Sequence, residues 1–359
     1  MSEEPPAFIA RPPAMAGAHP ATAGAQPTTA GGQTVRPDRR GRAGGYPLEF
    51  AQVAFLVADS TITDIFVNGP GEVWVDRGAG LERVPGSSFD ATSGFDEVAI
   101  RALAVRLMDL GGRHIDETTP CVDARLSDGI RVHAVLPPVS PVGTLLSIRL
   151  PSVERWPLKR FADNGFLSID QHRCLIELVA ERQNLLISGA GGTGKTTLLS
   201  AILGEADSTE RIVAIEDVAE LRVDHPHFIS LETRQANLEG AGEIDLTRLV
   251  REALRMRPDR LVVGECRGAE IRDLLAALNT GHDGGAGTLH ANSLADVPAR
   301  LEALGALAGM SPTAVARQAV SAIGMVLHLE RTDGVRRLAQ LGRLSLDARD
   351  RLAVDVVML

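Results

Sequence analysis

The chain has 359 residues, a formal net charge of −9, an aromatic fraction of 3% and three cysteines, a length that points to two domains, with or without a tail, at roughly 100–200 residues each. Its acidic balance argues against a binder of the nucleic-acid backbone, which ordinarily presents a basic face. The widely spaced Cys121, Cys174 and Cys266, without a CxxC pair, indicate neither a zinc site nor a disulfide framework.

Residues 1–45 stand apart, since 24 of these 45 positions are Ala, Gly or Pro. Such a stretch has little apolar periodicity to offset ordering entropy and reads as a disordered tail. It begins MSEEPPAFIARPP, without the basic and then apolar regions of a signal peptide. No segment of the chain offers the run of roughly 18 apolar residues that a spanning helix needs. The expectation is a cytoplasmic chain whose link to any membrane runs through a partner.

From Tyr46 the pattern changes. Ile62–Asn68 and Glu72–Asp76 read as strands around a Gly69-Pro70-Gly71 turn, with Leu81–Val84 as a third. Phe95–Leu110 has helical spacing (Val98, Ala102, Val105, Leu107) and a Gly111-Gly112 cap. Val122–Leu126, Arg131–Leu136 and Thr144–Arg149 alternate as strands, the first two joined by an Asp128-Gly129 turn. Residues 46–150 therefore read as a small α+β domain, followed by a linker over 151–165.

Residues 166–359 alternate strand and helix. Asn184–Ser188, Arg211–Ile215 and Leu261–Val263 are short apolar runs. Helical patterns fall at Lys195–Leu203, Leu246–Met256, Glu270–Asn279, Val297–Leu307 and Thr313–Ile323. Val326–Leu329, Arg336–Leu344 and Ala353–Leu359 close the chain as strands. This order predicts βαβ units and a parallel sheet covered on both faces.

Between the first apolar strand and its helix lies Gly189-Ala190-Gly191-Gly192-Thr193-Gly194-Lys195-Thr196, then Thr197. It fits G-x-x-x-x-G-K-[ST], in which glycines let backbone N–H groups converge on phosphate oxygens. Lys195 is placed to reach β- and γ-phosphates, and the Thr196 hydroxyl to bind magnesium. Of 37 basic residues only Lys159 and Lys195 are lysines, the rest being 35 arginines. One of two lysines thus stands where a compact point charge is wanted and a planar fork does not serve.

Acids follow two of the other strands. Arg260–Val263 runs through Gly264 into Glu265, an atypical Walker B acid that would order magnesium and its water shell. Arg211–Ile215 ends in Glu216-Asp217; Glu216 is the candidate for orienting the attacking water, with Glu220 a surface acid. His282 and His290 share a glycine-rich loop, where one of them could sense the γ-phosphate.

Together GAGGTGKTT, RIVAIEDVAEL, the LETR to VGECRG stretch and NTGHDGGAGTLHANS resemble the type II/type IV secretion-system ATPases, with wording similar to the CpaF-like branch of Tad/Flp pilus assembly. TITDIFVNGPGEVWVDR and DGIRVHAVLPP are similar to that branch's N-terminal domain. The resemblance implies a homo-hexamer of RecA-like P-loop domains, each preceded by the smaller α+β domain and using ATP and Mg2+. It gives Glu216 the acidic-box role, Glu265 the Walker B role and His290 the histidine-box role. Arg131 and Arg149 become candidates for the γ-phosphate, and Arg234 for reaching a neighbouring subunit. The implied partner is an inner-membrane platform protein, and the implied function an ATP-driven motor for pilus assembly, secretion or conjugal transfer. A nucleic-acid translocase or a phosphotransferase on the same loop is the alternative. A GTPase is excluded by the absence of a lysine for N-K-x-D.

Overall fold

The fold comes from a computed structural model, which describes residues 48–78, 80–85, 89, 94–126, 129–151, 155–234 and 241–358. The tail expected over 1–45 and Asp128 of the expected hairpin turn lie outside these residues.

A 3-10 segment (Leu48–Val53) leads into α1 (Ala54–Ala58), β1 (Asp64–Val67), β2 (Val73–Asp76), β3 (Leu81–Arg83) and α2 (Glu97–Leu110). Then come β4 (Cys121–Arg125), β5 (Arg131–Val135) and β6 (Leu145–Arg149). The six strands pair antiparallel in the order β3-β2-β1-β6-β5-β4. Their two-residue alternation buries Ile65, Val67, Val73, Val75, Val132, Ala134, Leu146 and Ile148 in one core with α2.

Of the four apolar positions whose spacing predicts α2, only Leu107 is buried. Val98 and Val105 are exposed, whereas Ile100, Leu103, Ala104, Leu107 and Met108 are buried. Both sets have helical spacing, but the second is continuous at i, i+3, i+4, i+7 and i+8 and makes the wider stripe. The expected glycine cap is present. Gly112 takes φ 65, and Arg113 N–H bonds back to Met108 O at 2.8 Å, which is the Schellman closure.

The second half runs α3 (Leu158–Asp163), α4 (Ile169–Ala180), β7 (Leu185–Gly189), α5 (Lys195–Gly204), β8 (Ile212–Glu216), β9 (Phe228–Glu232) and α6 (Leu246–Leu254). It continues with β10 (Arg260–Cys266), α7 (Glu270–Leu278), β11 (Ala286–His290), α8 (Val297–Leu307) and α9 (Pro312–Ala322). It ends with β12 (Met325–Thr332), β13 (Val335–Leu346) and β14 (Leu352–Val357). The sheet order is β14-β13-β12-β7-β11-β10-β8-β9. Six of these strands form parallel ladders, but β13 pairs antiparallel with both β12 and β14, so the sheet is mixed rather than parallel throughout.

Alternate residues of the central strands feed two cores. Leu186, Val213, Ile215 and Val263 pack with α6 to α9, and Leu185, Ile187, Ile212 and Ala214 pack with α3 to α5. This is the two-faced burial expected of parallel strands.

Of the stretch expected as a linker over 151–165, positions 152–154 lie outside the described residues. From Leu158 to Asp163 the chain is helical, and Leu158 and Phe161 are buried in the second of these cores. Phe161 packs edge-on against Trp156 and Phe166, with centroids 5.5 and 4.9 Å apart. Its helix follows Pro157, and the run LKRFAD is too short for periodicity to reveal. Helix α4 is not among the helical patterns expected from spacing, and Ser168 and Gln171 form a full capping box at its start.

Replacing Phe161 by Ala removes the ring that joins α3 to this core. The expected cost is about 3–5 kcal/mol, measurable by chemical denaturation. A loss below about 1 kcal/mol would instead mark the segment as a true linker.

Candidate nucleotide site

Strand β7 is central, and its last residue, Gly189, pairs with His290 of β11 on one side and Leu329 of β12 on the other. Gly189 has φ 151, and a Cβ there would lie 2.6 Å from Leu329 O and 2.8 Å from Thr193 Oγ1. Only glycine fits that approach. Gly192 (φ 72) and Gly194 (φ 95) are left-handed, and Gly194 caps α5. The loop therefore turns its backbone toward the helix start, where unpaired N–H groups and the helix dipole favour anions.

Lys195 is buried, and its Nζ donates to Gly189 O at 2.8 Å and Ala190 O at 2.9 Å. Thr193 Oγ1 donates to Ala190 O at 2.8 Å. Burial pushes the Lys195 pKa down, while the Glu265 carboxylate acts in the opposite direction. Thr196 and Thr197 occupy the first turn of α5 and are half-buried.

Glu216 ends β8, and Glu265 lies on the adjacent parallel β10, as the sequence predicts. Glu216 is 4% exposed. Its carboxylate accepts backbone N–H bonds from Leu221 at 3.0 Å and Glu220 at 3.1 Å. A Cβ on Gly264 would lie 2.6 Å from Glu216 Cγ, so the glycine that made the Walker B motif look atypical makes room for Glu216. Burial raises the Glu216 pKa to about 7 against those two N–H bonds, with Glu220 adding to the rise.

Glu265 sits where β10 holds one residue more than β11, between the pairs Val263–Gly287 and Cys266–Leu289. This bulge lifts it partly into solvent. Arg267 grips it through Nε at 2.9 Å and reaches Asp217 at 3.4 Å. Thr288, buried opposite the bulge, donates to Gly264 O at 2.6 Å.

The two histidines separate. His290 ends β11 beside the loop, its Cε1 3.9 Å from the point where a Gly191 Cβ would be. His282 precedes the other end of β11 and bonds to Ala277 O at 3.3 Å, so it does not share the site.

Arg131 and Arg149 are cross-strand neighbours on β5 and β6. Arg131 pairs with Glu220 at 3.0 Å, so that carboxylate has a cationic partner on β5 and is not a free surface acid. Arg131 Nε is buried without a partner. Burial lowers the Arg131 pKa; Glu220 opposes this, and the nearby Arg149, Arg125 and Arg267 add to it. Arg125, unremarked in the sequence, donates to Thr233 O at 3.0 Å and pairs with Glu232 at 3.3 Å. Arg234 lies on a loop bridge to Ile244 and bonds Gly242 O at 2.6 Å. Contacts across β-ladders and between distant loops carry no local signature, which is why Arg125, Arg267 and the role of Gly264 were not singled out.

A carboxyl whose pKa rises from 4.5 to about 7 on folding is protonated in the native state and ionised in the unfolded chain between those values. The native state binds the extra proton, so stability falls as pH rises through this window. Glu216→Gln should therefore be more stable than the parent at pH 8, by on the order of 2–3 kcal/mol, and nearly equal to it at pH 4.5. Thermal melts at the two pH values check this; a gain of the same size at both would refute it.

The type II/IV secretion system protein family model matches residues 48–334. The chain is 48% identical over 296 residues to a "Putative conjugal transfer protein" of Mycobacterium tuberculosis (strain CDC 1551 / Oshkosh), covering 80% of this chain and 82% of that one. It is 34% identical over 257 residues to the type IV secretion system protein PtlH of Bordetella pertussis, covering 65% and 73%. Among solved structures, the pilus retraction motor PilT with bound ADP shares the fold at a TM-score of 0.54 and 19% identity, covering 86% of this chain and 82% of that one. With 48–334 matched, the chain belongs to the type II/IV secretion system protein family.

Proposed function

We propose that the loop from Gly189 to Thr196 binds ATP with magnesium and hydrolyses it, and that the protein is a motor of a secretion, pilus or conjugal-transfer system. The observation that carries this reading is the placement of Lys195 in a glycine-shaped loop at the centre of the sheet, with Glu216 and Glu265 at the ends of neighbouring strands. Relatives named for conjugal transfer and type IV secretion, and a structural neighbour that is a pilus motor holding ADP, support it.

In this reading Lys195 exchanges its two carbonyl partners for β- and γ-phosphate oxygens, and the loop N–H groups from Ala190 to Thr197 line the phosphates. Among the described residues no cluster of three or more His, Cys, Asp or Glu could hold a metal unaided. Magnesium would be held by the Thr196 hydroxyl at the start of α5 and the Glu265 carboxylate on β10, together with the phosphates. When bound it neutralises charge on the transferred phosphoryl group. Glu216, with a pKa near 7, suits the role of taking or orienting the proton of the attacking water. His290 stands at the γ-phosphate side, and Arg131 and Arg149 supply cations from the N-terminal sheet.

The finer reading is a CpaF-like homo-hexamer with Arg234 directed to a neighbouring subunit. It would act at the cytoplasmic face of the inner membrane on a platform protein. Among the described residues no helix is long and apolar enough to cross a membrane. Hydrolysis would move the two sheets about the short connection between β6 and α3, a nucleotide-gated hinge.

Lys195→Ala should lower steady-state ATP hydrolysis by about 100-fold or more; an undiminished rate would overturn the assignment. In the parent protein, kcat/KM for ATP should rise with pH through about 7 as Glu216 ionises. That limb should vanish in Glu216→Gln along with most of the activity.

A further inference from the structure

The hairpin of β12 and β13 brings a basic pair to the mouth of the phosphate loop. Its turn, Asp333-Gly334, has φ 51 and 80, the two-residue connection that sets Arg331 opposite Arg336. Like charges directly opposed on a ladder repel. Burial, and then Arg331, depress the Arg336 pKa, with Asp76 acting the other way.

Neighbouring arginines are matched with acids. Arg337 pairs with Glu330 at 3.3 Å, and Arg267 pairs with Glu265. Arg331 donates to Gly78 O at 3.0 Å. Among the described residues no ion pair or hydrogen bond engages the Arg336 side chain.

Its position is specific. Arg336 Cδ lies 4.0 Å from where a Cβ on Gly194 would be, beside Phe166 Cε2 at 3.8 Å. Its Nη2 lies 3.8 Å from the corresponding point on Gly78, in the turn after β2. The stem thus leans on the glycine immediately before Lys195, while the head points to the N-terminal sheet.

We propose that Arg336 is a phosphate ligand of this site, closing on the α- and β-phosphate oxygens from the β12 side of β7. His290 and the two catalytic acids stand on the other side, along β11, β10 and β8. The inference rests on the nucleotide reading of the loop and adds to it a residue beyond position 334, where the family match ends. An arginine fork offers two parallel N–H bonds to a phosphate, and an anion between Arg331 and Arg336 relieves their repulsion.

The test uses the full chain with Arg336→Gln, Arg337→Gln and Lys195→Ala, each shown by circular dichroism to melt like the parent. Binding of a fluorescent ADP is measured, together with its displacement by inorganic tripolyphosphate. Arg336→Gln should weaken both ligands about 10-fold, and Arg337→Gln should leave both unchanged. Parent-like binding of both ligands by Arg336→Gln overturns the proposal, as does weakened ADP with undiminished tripolyphosphate, which would mean a contact to base or sugar. An equal loss in Arg337→Gln overturns it too, since general charge would then suffice. If Lys195→Ala also binds like the parent, it is the nucleotide reading that fails.

Discussion

The close approach of Gly189 to the backbone of Leu329 governs the geometry of the site. A Cβ on Gly189 would lie 2.6 Å from that carbonyl, which leaves no room for a side chain, and β7 stays in register with both neighbours up to its last residue. The chain then turns through left-handed glycines directly into α5. Lys195 inherits its place from that turn, six residues on, with its ammonium bonded to the carbonyl of the same Gly189. A bulkier residue at 189 would separate β7 from β12 and move the hairpin beyond it.

A second exclusion of side chains operates two strands away. Glu216 remains buried because Gly264 presents only backbone to it. The carboxyl is then held by two backbone N–H groups and little else, which leaves desolvation as the dominant influence on its proton. Burial and access are therefore set by neighbouring strands, whereas Glu265, on the same strand as Gly264, is exposed enough to be gripped by Arg267. Two carboxylates a strand apart thus differ in burial and in partners: backbone N–H groups for Glu216, a guanidinium for Glu265.

Much of this was legible in the sequence. Apolar runs with glycine and acid endings located β7, β8 and β10, and the loop and both acids fell where the motifs placed them. Other features depended on tertiary contacts. Val98 and Ile100 belong to rival helical stripes whose order only packing decides. Phe161 gained its core position from Trp156 and Phe166, not from a period. Strand β9 lies in a stretch without strict alternation, and it is defined by pairing with β8. The antiparallel turn of β13 did have a local signal, Asp333-Gly334, yet its consequence for Arg336 arises only once Gly194 and Gly78 are nearby in space.

The extra residue in β10 also divides that strand into two segments of opposite phase. Up to Val263 the side chains alternate in step with those of β8 and β11; after the bulge the alternation is reset by one position. Deleting Gly264 would restore an unbroken count and turn Glu265, Cys266 and the approach to α7 to the opposite faces of the sheet. The insertion thus lets one strand satisfy two demands that a regular ladder cannot meet together: a continuous apolar register at its start, and a half-exposed acid beside Arg267 at its end.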